Sequence, residues 1–216
     1  MLKQRKENKV KGSKSQLIIV GSLLILIGIS LVGGKYLYKY FLDRNEDLKI
    51  EEFYEKQEEI SETPESNENT EEVKTEEKQE TTRADYVAVI KIPKINLEKG
   101  LYAKDSSLNN VNKNIQILKE SSYPDVATGN FILAGHSGNG RVSYFRKLDK
   151  LNRDDEVSIF YGGSEYKYKV VNIYDIEKTG TANIVRNAEK TTLTLITCRH
   201  NTNKQIVIIC ELVETI

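Results

Sequence analysis

Eighteen consecutive residues without a charge, Leu17 to Gly34 (LIIVGSLLILIGISLVGG), do most to limit what this 216-residue chain can fold into. Leu, Ile and Val dominate the run, and its length is at the lower edge of what spans a hydrocarbon core as a helix. Lys35 and Lys39 follow, with Tyr36, Leu37, Tyr38, Tyr40, Phe41 and Leu42 between and after them. Such lysines snorkel and such tyrosines sit in the interface, which extends the usable span over 17–42. Residues 1–16 carry Lys3, Arg5, Lys6, Lys9, Lys11 and Lys14 against Glu7. A basic flank marks the cytoplasmic side. The expectation is therefore a single-pass protein of the cell membrane, with its N-terminus inside and the rest outside. A cleaved signal peptide is the competing reading, because Gly28, Ser30, Gly33 and Gly34 are small. Its apolar region would be shorter, so an uncleaved signal anchor is favoured.

The formal net charge of zero is a sum of unlike parts. After the basic start comes a strongly acidic stretch, 43–83. SETPESNENTEEVKTEEKQETT contains almost nothing to bury and cannot offset the entropy of ordering. Residues 43–83 thus read as an acidic flexible stalk that gives reach from the bilayer. DLKIEEFYEKQEEI, at its start, has helical periodicity and reads as a short juxtamembrane helix. Basic patches with interleaved aromatics are missing, which argues against nucleic acid as a partner. Two cysteines, Cys198 and Cys210, make no disulfide framework, and without CxxC or HExxH a zinc site is not expected.

From residue 84 to 216 the composition becomes that of a folded domain. Tyr86–Ile92 alternates and is β-branched, as a strand should be. Pro93 breaks it, Ile95–Leu97 resumes, Gly100 reads as a turn, and Leu101–Ala103 as a further short strand. Residues 106–114 offer one helical turn, and Asn130–Ala134 is an apolar strand. SYFRKLDKL (143–151) has helical spacing. Glu156–Tyr161, Tyr166–Tyr174, Thr191–Thr197 and Lys204–Val213 read as strands, with a Gly162-Gly163 hairpin signal that Ser164 extends. About seven or eight short strands with short helical connectors point to a mostly β fold, a closed or nearly closed barrel.

Two of these strands end on reactive side chains. Thr194-Leu195-Ile196-Thr197-Cys198 delivers a cysteine to a polar, basic loop that begins Arg199-His200, the setting in which a reactive thiol is expected. Cys210 is flanked by Ile208, Ile209 and Leu212 and reads as core. Near neutral pH a thiol needs an imidazole to hold or move its proton. His136 ends its own strand between Gly135 and Gly138. His200 is a near neighbour of the cysteine in sequence. His136 is favoured, because catalytic pairs usually come from separate elements whose geometry the fold sets. An oxyanion formed at a carbonyl needs a donor, for which arginine is best suited.

Together these residues resemble the sortases, membrane-anchored cysteine transpeptidases of Gram-positive surfaces. The family's TLxTC motif stands here as Thr194 to Cys198, and its histidine segment as Leu133-Ala134-Gly135-His136. Ile92-Pro93-Lys94-Ile95 and the Phe-x-x-Leu pattern that starts at Phe145 also match. The resemblance covers Tyr86 to the C-terminus, and it implies a sortase-type β-barrel behind one transmembrane helix. It further implies that Cys198 cleaves an LPxTG-like sorting signal of a secreted protein through a thioester. His136 protonates the leaving amine, and a peptidoglycan-precursor amine accepts the protein. Sortases carry an arginine just before the Ile/Val run of the last strand. Here that position is Gln205, preceded by Lys204. Lys204, Gln205 or Arg199 from the loop would have to replace it, and on a regular strand Arg199 points away from Cys198. With no second apolar segment after Val213 and only a short 177–190 connection, the resemblance is to classes A, D or E. No cofactor is expected, since Asp175, Glu177 and nearby acids read as surface groups more readily than as a calcium site. A membrane-anchored cysteine protease with water as acceptor, or a non-catalytic scaffold on the same fold, are the alternatives.

Overall fold

Outward and inward positions alternate along nearly every strand of this protein, and that alternation creates both its core and two apolar patches on its outside. The computed structural model describes residues 2–62 and 85–216. The second half of the stalk expected at 43–83 therefore lies outside the described residues, and its first half, to Glu62, is helical. Helix α1, Leu2–Glu62, runs through two compact units, Met1–Asp47 and Leu48–Ile216. In the first unit, Leu17 onward is exposed and apolar, and this is the one helix among the described residues long and apolar enough to cross a membrane.

The second unit is a mixed sheet of eight strands: β1 (Tyr86–Ile92), β2 (Leu97–Tyr102), β3 (Gln116–Ile117), β4 (Asn130–Ala134), β5 (Glu156–Tyr161), β6 (Ser164–Glu177), β7 (Thr192–Cys198) and β8 (Lys204–Thr215). Their order is β2-β1-β5-β6-β8-β7-β4-β3. The seam between the two end strands is nearly closed, because the Asn114 side-chain amide donates to the Gly100 carbonyl at 2.8 Å. The expectation of a nearly closed barrel holds. Ala88, Ile90, Ile92, Leu133, Val157, Ile159, Leu193, Leu195, Ile206 and Ile208 fill the interior. Burial of such side chains is worth roughly 1.5–3 kcal/mol each.

Local signals account for several turns. Gly162 and Gly163 have φ of 59° and 81°, the left-handed pair that a two-residue hairpin requires. Ser164 pairs with Tyr161 as the first residue of β6 and does not extend the turn. Gly100 is a correction, since it lies inside β2, opposite Val89. The Tyr86 ring occupies the space where a Cβ would stand, so the glycine is a packing requirement and not a bend. The 143–151 stretch is a run of turns ending in a short 3-10 helix, η2 (Leu148–Lys150). Its helical spacing serves to plant Phe145 and Leu148 in the core. The 106–114 stretch forms turns and no helix.

On the outside, Val89 of β1 is fully buried although it faces away from the barrel interior. Ile50 and Phe53 of α1 cover it, with Tyr54, Tyr86 and Phe160 around them. Tyr54 meets Phe160 edge-on at 5.0 Å and donates its hydroxyl to Glu98 at 2.9 Å. The Gly163 N–H donates to the Gln57 side-chain carbonyl, and Lys56 lies 3.5 Å from Asp85. The helix from Leu48 is thus part of the folded unit.

Candidate active site

Among the described strand pairs, only β4 with β7 is parallel. Parallel neighbours end at the same edge of a sheet, so the residues after them emerge together. Asn130 to Ala134 match Thr192 to Ile196 one for one. The match continues beyond the strand, with the Gly135 N–H donating to the Ile196 carbonyl at 3.1 Å. His136 and Cys198 each follow two residues behind the last matched pair, Ala134 and Ile196. They therefore emerge at the same edge, on chains about 4.8 Å apart.

The two threonines of TLITC, with Thr192 just before them, do the joining. Thr194 donates its hydroxyl to the Asn130 side-chain oxygen at 2.9 Å, and Thr192 donates to the same oxygen at 3.1 Å. Thr197 donates to the Gly135 carbonyl at 2.6 Å. All three threonines are buried, so each hydroxyl is a fully desolvated tie between the cysteine strand and the histidine strand. Leu195 packs into the barrel core, while Ile196 packs on the outer face with Ile132, Val207 and Ile209. Alternation puts Cys198 on that outer face too.

The turn after His136 is held from below. The Phe145 N–H donates to the His136 carbonyl at 3.1 Å. A Cβ on Gly135 would come within 2.8 Å of the buried Phe145 ring, which explains the glycine before the histidine. Arg146 donates from Nε to the Gly138 carbonyl at 2.9 Å and from Nη2 to the Gly140 carbonyl at 3.0 Å. The His136 Nε2 lies 3.2 Å from the Asn112 side-chain oxygen.

The two cysteines differ sharply. Cys198 is partly exposed and Cys210 is buried, and both are free thiols. Burial pushes the Cys210 thiol far above its ordinary range, so it stays protonated and inert. A small cavity of about 20 Å³, room for one water, is lined by Ser137, Arg146, Cys198, Arg199 and His200 among others, so Arg199 borders the same cavity as the thiol although its guanidinium is engaged by Asp175. His200 itself is exposed in the β7–β8 turn.

The three residues considered as replacements for the missing arginine separate by face. Gln205 pairs directly with Cys198 across β7–β8, and directly opposed side chains share a face. Arg199 continues the ladder, its N–H donating to the Lys204 carbonyl at 2.9 Å. The pleat therefore assigns Arg199 and Lys204 to the other face. There Arg199 Nε meets Asp175 Oδ1 at 2.7 Å, and Lys204 Nζ stands 4.0 Å from Glu177 Oε1. The acids weighed as calcium ligands are thus opposed by cations. No group of three or more His, Cys, Asp or Glu able to hold a metal occurs among the described residues.

Sequence reasoning passed over Asn112, Asn130 and Arg146. The asparagine-rich LNNVNKN run and the polar Asn130 at the head of an apolar strand were the available signals.

Comparison with known proteins bears on the family and the fold. Residues 90–213 match the sequence pattern of the sortase domain. The chain is 30% identical to sortase D of Bacillus subtilis over 110 residues, which is 51% of this chain and about half, 52%, of that relative. It is 25% identical to sortase A of Staphylococcus aureus over 191 residues, 87% of this chain and 88% of that one. Among solved structures, a sortase D5 transpeptidase of Clostridium perfringens superposes with a TM-score of 0.51 at 27% identity, over 60% of this chain and 80% of that one. Sortase A of Corynebacterium diphtheriae shares the fold, with a TM-score of 0.53 at 23% identity over 60% and 61% of the two chains. With the sortase-domain match covering more than half of its length, this chain belongs to the sortase family, a family of cysteine transpeptidases.

Proposed function

We propose that the protein is a membrane-anchored sortase in which Cys198 and His136 carry the chemistry. The observation behind this reading is the parallel β4–β7 register, which delivers a partly exposed thiol and an imidazole to one edge. The Cys198 thiolate attacks the threonine carbonyl carbon of an LPxTG-like sorting signal. The C–N bond to glycine breaks, and the leaving amine takes a proton from the His136 imidazolium. The product is a thioester on Cys198. A peptidoglycan-precursor amine then attacks that carbonyl, gives up a proton to His136, and expels the Cys198 thiolate. The net result is one amide exchanged for another, with the secreted protein joined to the wall.

Gln205 is the group best placed to assist. It is opposite Cys198 on the same face, and its amide N–H is a donor for a carbonyl oxygen that gains charge. Arg199 and Lys204 serve less well there, since they project to the other face and face carboxylates. The apolar anchor and the basic residues ahead of it favour a single pass, with the catalytic unit outside the cell.

The test is a mass spectrum of the full chain in detergent after exposure to sorting peptides, followed by an added amine. The expected result is an acyl adduct on Cys198 that the amine consumes with formation of a new amide. Hydrolysis indifferent to amine would mean a cysteine protease. No adduct with any peptide, while wall anchoring persists in Cys198→Ala cells, would mean a scaffold.

A further inference from the structure

We infer that Asn112 is the positioning residue for His136, its side-chain oxygen holding the Nε2 proton so that Nδ1 is the nitrogen that gives and takes the catalytic proton. The contact joins two segments far apart in sequence, His136 Nε2 to Asn112 Oδ1 at 3.2 Å. An amide oxygen has only lone pairs to offer, so the contact is a hydrogen bond only when Nε2 bears hydrogen. That leaves Nδ1 as the nitrogen with an open lone pair in the neutral ring. Once Nδ1 is protonated, the same amide oxygen supports the imidazolium.

The turn that carries Asn112 is fastened to the barrel on both sides. On one side Asn109 is buried and clasps Ile117, accepting from its N–H at 2.7 Å and donating to its carbonyl at 2.9 Å. On the other, the buried Asn114 donates to the Gly100 carbonyl at 2.8 Å. Between them, Asn110 accepts the Asn112 N–H on its side chain at 2.9 Å, and the Lys113 and Asn114 N–H groups on its carbonyl, both at 2.8 Å. Each asparagine of the LNNVNKN run therefore has a fixed bond. Asn112 is the one whose side chain leaves the turn for the histidine. A side chain whose own backbone is pinned loses little further entropy in holding a partner, which is what a positioning group requires.

Among the described residues, Arg146, Lys113 and Cys198 are charged or titratable groups on the segments that join at His136. Arg146 stands on its own turn with its guanidinium engaged by the Gly138 and Gly140 carbonyls. Lys113, beside Asn112, turns its amine to the Ser107 carbonyl at 3.0 Å. Cys198 comes from β7. None of these supplies an oxygen to the ring, so the loss of Asn112 leaves Nε2 to water.

The inference rests on the reading of His136 as proton carrier, and its test separates the two. The chain has only two histidines, so in a His200→Gln background the remaining imidazole signal belongs to His136. Titration by NMR of this protein in detergent is compared for Asn112, Asn112→Ala and Asn112→Asp. The expected result is a midpoint lowered by about half a unit in the alanine variant, the worth of one neutral hydrogen bond. It is raised by about one unit with aspartate, which keeps the oxygen and adds charge. Amide-exchange activity of the alanine variant should fall about tenfold from lost orientation, and its pH profile should move with the midpoint. Because Asn112 is exposed, folding is not at stake. An alanine midpoint that is unchanged or raised overturns the inference, even with transpeptidation intact. Shifted midpoints in a protein without acyl transfer would instead keep the Asn112–His136 link and sink the proposed function.

Discussion

Two apolar patches lie on the outside of the same barrel, and they are used in opposite ways. On β1 and β5, Val89 and Phe160 are covered by Ile50, Phe53 and Tyr54 of the chain's own helix. On β4, β7 and β8, the residues Ile132, Ile196, Val207 and Ile209 are covered in part by Ala182 and Ile184 of the β6–β7 connection. The first cover is regular helix, closed by aromatic contact and by the Tyr54–Glu98 bond. The second has no regular structure, and Gly180 turns within it at a φ of 87°. It is held through the Tyr174 hydroxyl, which donates to the Asn183 carbonyl at 3.0 Å and accepts the Val185 N–H at 2.7 Å. An outward apolar residue must be covered by something. Where the cover is a packed helix the patch serves stability, and where it is an irregular loop beside Cys198, the cover has fewer fixed contacts and is the easier one to displace. Irregular connections are also where such barrels have freedom to move.

Predictions that test this contrast begin with the thiols. Cys198→Ala should abolish acyl-adduct formation and reduce amide exchange by about a thousandfold or more, read by mass spectrometry and peptide cleavage. Cys210→Ala should leave exchange nearly unchanged and cost about 1 kcal/mol of stability by thermal melting. In the native protein a thiol reagent should label Cys198 and reach Cys210 only on unfolding, since burial keeps the latter protonated.

Next in size is the residue opposite the cysteine. Gln205→Ala should lower kcat about ten- to a hundredfold with KM little changed, as expected for a donor used mainly in the transition state. Gln205→Arg should retain or raise kcat. An alanine variant with full activity would remove Gln205 from the chemistry.

The patches themselves should respond to one charge each in opposite ways. Phe53→Asp should lower the melting temperature by about 6 °C, from about 2 kcal/mol of lost burial, with KM for a sorting peptide unchanged. Ile184→Asp should leave the melting temperature nearly unchanged and raise that KM about tenfold, the worth of about 1.4 kcal/mol of apolar contact. If both variants only melt earlier, the two patches are alike and the contrast fails.

The smallest effect concerns Asp155, which accepts the Lys94 amine at 2.8 Å and the Asn152 N–H at 2.6 Å. Partial burial pushes its carboxyl up, but Lys94 and the Asn152 N–H more than offset this and hold it below the usual carboxylate range. A carboxyl lowered by folding contributes stability above its unfolded pKa and loses it as pH falls through the folded one. Asp155→Asn should therefore cost about 1 kcal/mol at pH 7. That difference should shrink as the pH falls below about 4 and vanish in stronger acid. A constant difference across pH would show that the bond geometry matters and the charge does not.

How far the site was legible differs residue by residue. The strands ending near His136 and Cys198 showed as apolar runs, and the absence of arginine before Ile206 was visible at once. Gln205 and Lys204 stood as equals in sequence, with Arg199 admitted only through a loop conformation, because a choice among them depends on which residue faces Cys198. A slip of one residue in the β7–β8 register would exchange Gln205 for Lys204 and turn every side chain over. Gly100 was misread as a turn, because the Tyr86 ring that excludes a Cβ comes from the neighbouring strand. Asn112 was hidden for the same reason, its partner lying on a different loop.

Local chemistry is written along the chain, so sequence alone determined the membrane-length apolar helix, the alternating strands, and which of them end next to Cys198 and His136. Only the tertiary structure decided that β4 and β7 run side by side in parallel, that Gln205 shares a face with Cys198, and that the helix beyond Leu48 packs on the barrel. Pairing, register and covering are long-range choices, set by which arrangement buries the most apolar surface while leaving the fewest polar groups unpaired, and no window of sequence contains both partners.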